Sequence, residues 1–377
     1  MRLALVRQRY TPYGGAERFI ERALEALSGR GIDILIVTRR WSAAAAPHVT
    51  PIIIDPPHLG RRWRQASFDR AVCRRLANEP DLLVQSHERI ACCDIYRAGD
   101  GVHAVWLEEK NRARGAAVRL ATRLDPFHRY LLRAERALFA SPRLKAVICI
   151  SKMVQREIAE RFGLPEERLP VIYNAIDTEA YHPRLREARA SIRTRAAIPG
   201  DATVFLLVGS GYARKGVAQA LAALARLPTS AHLVVVGRDR HERRYRRLAQ
   251  NLGVASRVTF AGPQDDPKPW YGAADVFLLP TLYDALSNAV LEAMACGLPV
   301  ITSTRCGAGE LVTAHDAGTV CDARDVPAIA HAMQQLLDAD LRACQGAAAR
   351  AAVLPLTPEA MATRLLALYE ELLAPAQ

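Results

Sequence analysis

Twice along this chain a short aliphatic run meets glycine and gives way to residues with helical apolar spacing. Residues 3–6 are followed by Gly14-Gly15, then by Phe19, Ala23, Leu24 and Leu27, and residues 32–38 form the next aliphatic run. Residues 204–209 are followed by a second glycine-bearing loop and a helical segment at 217–226. A strand that turns into a helix and returns as a strand is a βαβ unit, which demands a parallel sheet covered by helices. Further strands are expected at 49–54, 82–85, 95–97 and 146–151, then at 232–237, 258–260, 276–279 and 300–302. Ser151 is expected to cap a helix reaching Phe162. A polar, proline-bearing stretch after Asn174 interrupts the alternation, and 377 residues are too many for one ordinary core. Two successive α/β domains with a cleft between them follow, with ligands outside the carboxyl ends of the strands.

Charge narrows the partners. Lys and Arg number 51 against 39 Asp and Glu, a formal net charge of +12. Much of the excess lies early, at Arg39-Arg40, Arg61-Arg62, Arg64, Arg74-Arg75 and the arginines between positions 112 and 136. Such a field suits nucleic acid, an acidic membrane face or a phosphorylated glycolipid, although an arginine-rich proteome would produce it too. No reader element accompanies it, so no nucleic-acid partner is expected. The eight cysteines show no Cys-x-x-Cys spacing and most lie in apolar segments. Reduced core thiols are therefore expected rather than disulfides or a metal site. Strand character from Arg2 leaves no room for a signal peptide, and no apolar run is long enough to span a bilayer. The expected location is cytoplasmic, in association with the inner membrane.

Three constellations carry chemistry. Residues 283–299, YDALSNAVLEAMACGLP, place Asp284 and Glu292 eight positions apart around a helix start. The amides of Ser287, Asn288 and Ala289 would face phosphate oxygens, and Glu292 would accept from vicinal hydroxyls such as those of a ribose. Asp284, still in the loop, would reach a sugar hydroxyl. The bland alternative, a surface carboxylate at Glu292, fits poorly with Leu291, Ala293, Met294 and Ala295 beside it. Upstream, Arg214-Lys215 in VGSGYARKGV offers a donor fork and a compact charge to a leaving pyrophosphate. Gly14-Gly15 would bring backbone close to the same kind of ligand, though alone it is an ordinary tight turn and lacks dinucleotide spacing. In the first half, Asp100 and His103 of GDGVHAVW are candidate proton acceptors, against a helix-cap aspartate and a packed histidine. P-loop, zincin and nucleophile-elbow motifs are absent from the sequence.

These residues resemble the retaining glycosyltransferases of family 4. The likeness is carried by YTPYGGAERF, VICISKMVQREI, YNAIDTEAYHP, VGSGYARKGV and YDALSNAVLEAMACGLPVITS and spans nearly the whole chain. It implies the GT-B fold: two Rossmann-like doubly wound domains facing across a cleft. Residues 1–180 would bind acceptor, 181–357 would bind a nucleotide sugar, and the helix at 358–377 would cross back toward the first. It further implies a UDP-sugar donor, UDP-glucose above others, no metal, and an anionic glycolipid acceptor such as a lipopolysaccharide core. Arg214 and Lys215 would hold the diphosphate, Glu292 the ribose, and Gly15 would lie near that phosphate. Asp284 takes the first position of the family's Glu-x7-Glu pair, one methylene short. Asp100 and His103 fall in the acceptor loop, with Asp100 favoured for orienting the acceptor. Other acceptors, such as capsule, exopolysaccharide or another lipid-linked glycan, fit equally, and a silent nucleotide-sugar binder is the alternative outside catalysis.

Overall fold

The computed structural model describes residues 2–8, 32–41, 49–79, 81–112 and 115–374. Gly14, Gly15 and the first expected helix lie outside the described residues. The chain divides into two compact units, Met1–Ala175 with Pro358–Gln377, and Ile176–Thr357.

In the first unit, β1 (Arg2–Val6), β2 (Asp33–Thr38) and β3 (Val49–Ile53) are followed by α1 (Gly60–Leu76), β4 (Leu83–Ser86) and β5 (Ile95–Arg97). Then come α2 (His103–Asn111), α3 (Ala116–Leu124), α4 (Pro126–Phe139), β6 (Ala146–Ile148) and α5 (Lys152–Phe162). The sheet runs β3-β2-β1-β4-β5-β6 with every pair parallel. Central strands buried on both faces read as continuous aliphatic runs, which is why β1 is legible as LALV with no polar alternation. Leu3, Leu5, Ile34, Ile36 and Ile148 share a core with Met361, Leu365 and Tyr369 of the C-terminal helix Pro358–Leu373. The Tyr369 hydroxyl donates to Gln85 Oε1 at 2.7 Å, seating that helix on β4. Ser151 caps α5, its Oγ accepting from Val154 N at 3.2 Å, and Gly163 ends the helix at φ 66°. The cysteine expectation needs correction: Cys73 on α1 and Cys92 after β4 form a disulfide. Packing of α1 beside the β4–β5 connection brings together two residues 19 apart, which spacing alone does not encode.

The second unit repeats the plan. Its elements are α6 (Arg189–Arg195), β7 (Thr203–Val208), α7 (Tyr212–Lys215), α8 (Val217–Leu224), β8 (Ala231–Val236), α9 (Glu242–Asn251) and β9 (Val258–Gly262). They continue with α10 (Lys268–Ala273), β10 (Val276–Leu279), α11 (Asn288–Ala295), β11 (Val300–Ser303), α12 (Gly309–Ala314), β12 (Gly318–Cys321), α13 (Val326–Gln335) and α14 (Ala339–Val353). The parallel sheet runs β12-β11-β10-β7-β8-β9. In each unit the first strand lies between the second and the fourth, so the winding reverses between β1 and β4 and again between β7 and β10. Such a reversal opens a crevice at the carboxyl ends of the two strands.

Candidate functional site

The second crevice holds most of the predicted residues. The chain leaving β7 turns through Gly209 and Gly216. A Cβ on Gly209 would sit 2.8 Å from Lys215 Cε, so the missing side chain makes room for the lysine stem. Gly216 has φ +78°, and a Cβ there would meet the Pro280 carbonyl oxygen at 1.9 Å. Only glycine lets the loop after β7 press against the loop after β10 here. The two are then fastened: Leu282 N and Thr281 Oγ1 donate to the Arg214 carbonyl at 2.8 and 3.0 Å.

This clasp delivers two cations to one carboxylate. Lys215 Nζ lies 2.6 Å from Asp284 Oδ2, and Arg214 Nη1 lies 3.1 Å from the same oxygen. Asp284 is fixed by its backbone, its N–H donating to Arg305 O and its carbonyl accepting from Gly307 N. Burial raises the Asp284 pKa, but the Lys215 and Arg214 charges outweigh it and hold the carboxyl below its ordinary value. Lys215 is only 9 % exposed, whereas Arg214 at 38 % faces solvent.

Three residues on, Ser287 sits at the N-terminus of α11 with φ 66° and ψ 95°. A non-glycine residue at positive φ stores roughly 1–3 kcal/mol, and such residues gather at ligand sites. Its Oγ is buried and has no partner among the described residues. Asn288 and Ala289 open the helix, whose N-terminus carries the positive end of its dipole, and the Val290 and Leu291 N–H groups donate to the Ser287 carbonyl at 3.1 and 3.4 Å. Glu292, one turn further, is 3 % exposed and accepts from the Tyr271 hydroxyl at 2.7 Å. Tyr271, on α10, is fully buried between Phe277 and Tyr181. Sequence reasoning missed it; the one signal was that a carboxylate among apolar neighbours needs a buried donor. Two cations beside a helix start can hold an anion, and an oriented carboxylate one turn on can accept from a hydroxyl.

In the first unit, Asp100 occupies the turn after β5. The residue preceding α2 as its cap is Val102, so the helix-cap reading of Asp100 is corrected. The start of α2 is served instead by Glu135 of α4, which accepts from the amides of His103 and Ala104 at 2.8 and 3.3 Å and pairs with Arg89. His103 is buried, with Nε2 3.1 Å from His128 Nδ1. Burial, helped by the Arg89 charge, pushes its pKa down to about 3. The imidazole is therefore neutral at pH 7 and shares one proton-bearing bond with its neighbour.

Comparison with known proteins agrees with this geometry. Residues 13–180 match the model of Glycosyltransferase Family 4, and residues 202–339 match that of Glycosyl transferases group 1. The lipopolysaccharide glucosyltransferase WaaG of Escherichia coli is 27 % identical over 325 residues, 85 % of each chain. The lipopolysaccharide core biosynthesis glycosyltransferase LpsE of Rhizobium meliloti is 27 % identical over 330 residues, 86 % of each. Among solved structures, WaaG superposes with a TM-score of 0.82 at 24 % identity, covering 99 % of this chain and all of the other. Anabaena HepE in complex with UDP-glucose gives 0.73 at 18 %, covering 98 % and 100 %. With a glycosyltransferase model on each half and the GT-B plan in both sheets, the chain belongs to the family 4, group 1 glycosyltransferases.

Proposed function

We propose that this glycosyltransferase moves glucose from UDP-glucose, with retention of configuration, to a lipopolysaccharide core or related anionic glycolipid. The observation that carries the donor half is the convergence of Lys215 and Arg214 on one carboxylate at the switch point, with the unpartnered Ser287 Oγ at the adjoining helix start. A diphosphate offers those cations a better-matched anion and would lie at the positive end of the α11 dipole. As the sugar–phosphate bond breaks, charge grows on the diphosphate, and fixed cations bind that state more strongly than the ground state. Glu292, aligned by Tyr271, takes the ribose hydroxyls, and Asp284 lies where the transferred sugar would be read. The glucose and core assignments lean on WaaG, LpsE and HepE; Asp100 would orient the acceptor, with His103 the second candidate.

The basic first unit supports contact with the inner face of the cytoplasmic membrane. No described helix is long and apolar enough to cross a bilayer. Helix α3, however, exposes Val118, Leu120 and Leu124 beside Arg119 and Arg123. An amphipathic, basic helix of this kind lies on an anionic surface. Purified protein incubated with radiolabelled UDP- and GDP-sugars and defined core or lipid-linked acceptors tests the proposal. Label should pass from UDP-glucose to heptose-containing core, and Glu292→Ala and Lys215→Ala should abolish it. Transfer to another glycan would move the acceptor only, donor binding without turnover would leave a silent binder, and no donor binding would refute the enzymatic reading.

A further inference from the structure

The first unit contains a cavity whose lining includes none of the residues assigned to transfer above. It has a volume of about 600 Å³ and lies among α2, α3, α4 and α5. Its walls are apolar where Ala104, Leu107, Leu132 and Phe162 meet, and its lining carries both arginines and glutamates.

The charges do not cancel. Glu108 is paired with Arg161, and Glu109 lies 3.8 Å from Arg112. Glu135 is taken up by Arg89 and the amides of His103 and Ala104. Arg119 and Arg123 of α3 and Arg136 of α4 also line the cavity, and they have no ion pair among the described residues. An apolar pocket bordered by three unmatched guanidinium groups is complementary to a molecule with a hydrocarbon body and an anionic head. A free phosphate would leave the walls wet, and a neutral lipid would leave the arginines unanswered.

We propose that this cavity is a discrete lipid site, holding one acyl chain of an anionic phospholipid with its phosphate on Arg119, Arg123 and Arg136. The site rests on the membrane part of the proposed function for the source of its ligand, and on nothing in the donor site. It differs from surface adsorption in being saturable by a single lipid molecule.

Full-length protein should be titrated with lysophosphatidylglycerol kept below its micelle-forming concentration, followed by calorimetry. Saturation at one lipid per chain is expected. Lysophosphatidylcholine should bind at least about tenfold more weakly, because charge-assisted hydrogen bonds are replaced by an internally neutralised head. Lengthening the chain from octyl toward dodecyl should tighten binding by up to roughly fourfold per methylene until the cavity is full. Leu132→Trp, which fills the pocket, should abolish binding. The exposed triple change Arg119→Gln, Arg123→Gln, Arg136→Gln should erase the preference for the anionic head without affecting folding. Transfer to a soluble acceptor should persist in both variants. Binding unchanged in both variants, or glycerol phosphate competing as well as the lipid, overturns the proposal. Protein that binds anionic vesicles but no monomeric lipid also overturns it while leaving membrane contact intact. Loss of donor turnover in the wild-type chain with lipid binding retained would count against the transferase reading alone.

Discussion

Replacing Asp284 by Asn tests whether this carboxylate and the donor's phosphates compete for the same two cations. The change keeps the shape and removes the charge shared by Lys215 and Arg214. The two pairs contribute unequally. Arg214 is 38 % exposed, so its share is that of a surface ion pair, ~0–1 kcal/mol. Lys215 is 9 % exposed against a carboxylate at 14 %, and removing one partner of a nearly buried pair costs about 3–5 kcal/mol. The crevice is open on one side, so a loss of about 3 kcal/mol is expected, read from hydrogen exchange of the β7 and β10 loops. UDP should restore it. In the parent chain the diphosphate competes with Asp284 for both cations; in Asp284→Asn it does not, so UDP should bind the variant at least as tightly and stabilise it more. The pH sign follows from the lowered carboxyl: the pair's stabilisation is complete above the ordinary aspartate range and lost as pH falls through the depressed folded-state value. Asp284→Asn should remove that acid limb. Weaker UDP binding in the variant would refute this competition. So would strict additivity of Lys215→Met and Asp284→Asn in a double-mutant cycle.

Gly216→Ala should disrupt the clasp, since its Cβ would enter the Pro280 carbonyl at a backbone angle alanine resists. UDP binding should vanish while the first unit keeps its exchange protection. Tyr271→Phe should cost about 1–3 kcal/mol by leaving a Glu292 oxygen without its buried donor, and should raise the donor KM several-fold more than it lowers kcat. An equal fall in kcat would place Tyr271 in the chemical step instead. His103→Gln should make the fold less acid-sensitive. With a folded pKa near 3 against an ordinary 6.5, the histidine's contribution is present above pH 6.5 and lost as pH falls toward 3. Urea midpoints across that window should slope less in the variant.

Much of this architecture is legible because parallel sheets buried on both faces leave unbroken aliphatic runs, and because glycines mark the turn after β7. Residues 203–208, 231–236 and 276–279 announce themselves in this way. Local chemistry is equally open to reading. Arg214 and Lys215 are adjacent in the chain, and Ser287 to Glu292 occupy one helix start, so their association needs no tertiary knowledge. Whatever depends on elements meeting stays hidden. Tyr271 reaches Glu292 from 21 residues away, Glu135 serves a helix start 32 residues upstream, and Cys73 finds Cys92 across a helix. None of these pairings has a local spacing that favours it over another.

The same distinction explains what the sequence says about Asp284. Spacing identifies Asp284 as a loop carboxylate ahead of a helix start but not the cations it meets. Its backbone is held through Arg305 and Gly307, while Lys215 is held by the Gly209 turn. With both ends anchored by main chain, a short side chain keeps the charge on the lysine, 2.6 Å away. The carboxylate thus ends on the two cations of the loop after β7. Both cations are paired with it, Lys215 nearly buried and Arg214 exposed enough to remain solvated. On the proposed function, donor binding would exchange one anion for another rather than recruit charge to an unprepared surface, and only the growth of charge on the leaving diphosphate would be left to distinguish transition state from ground state.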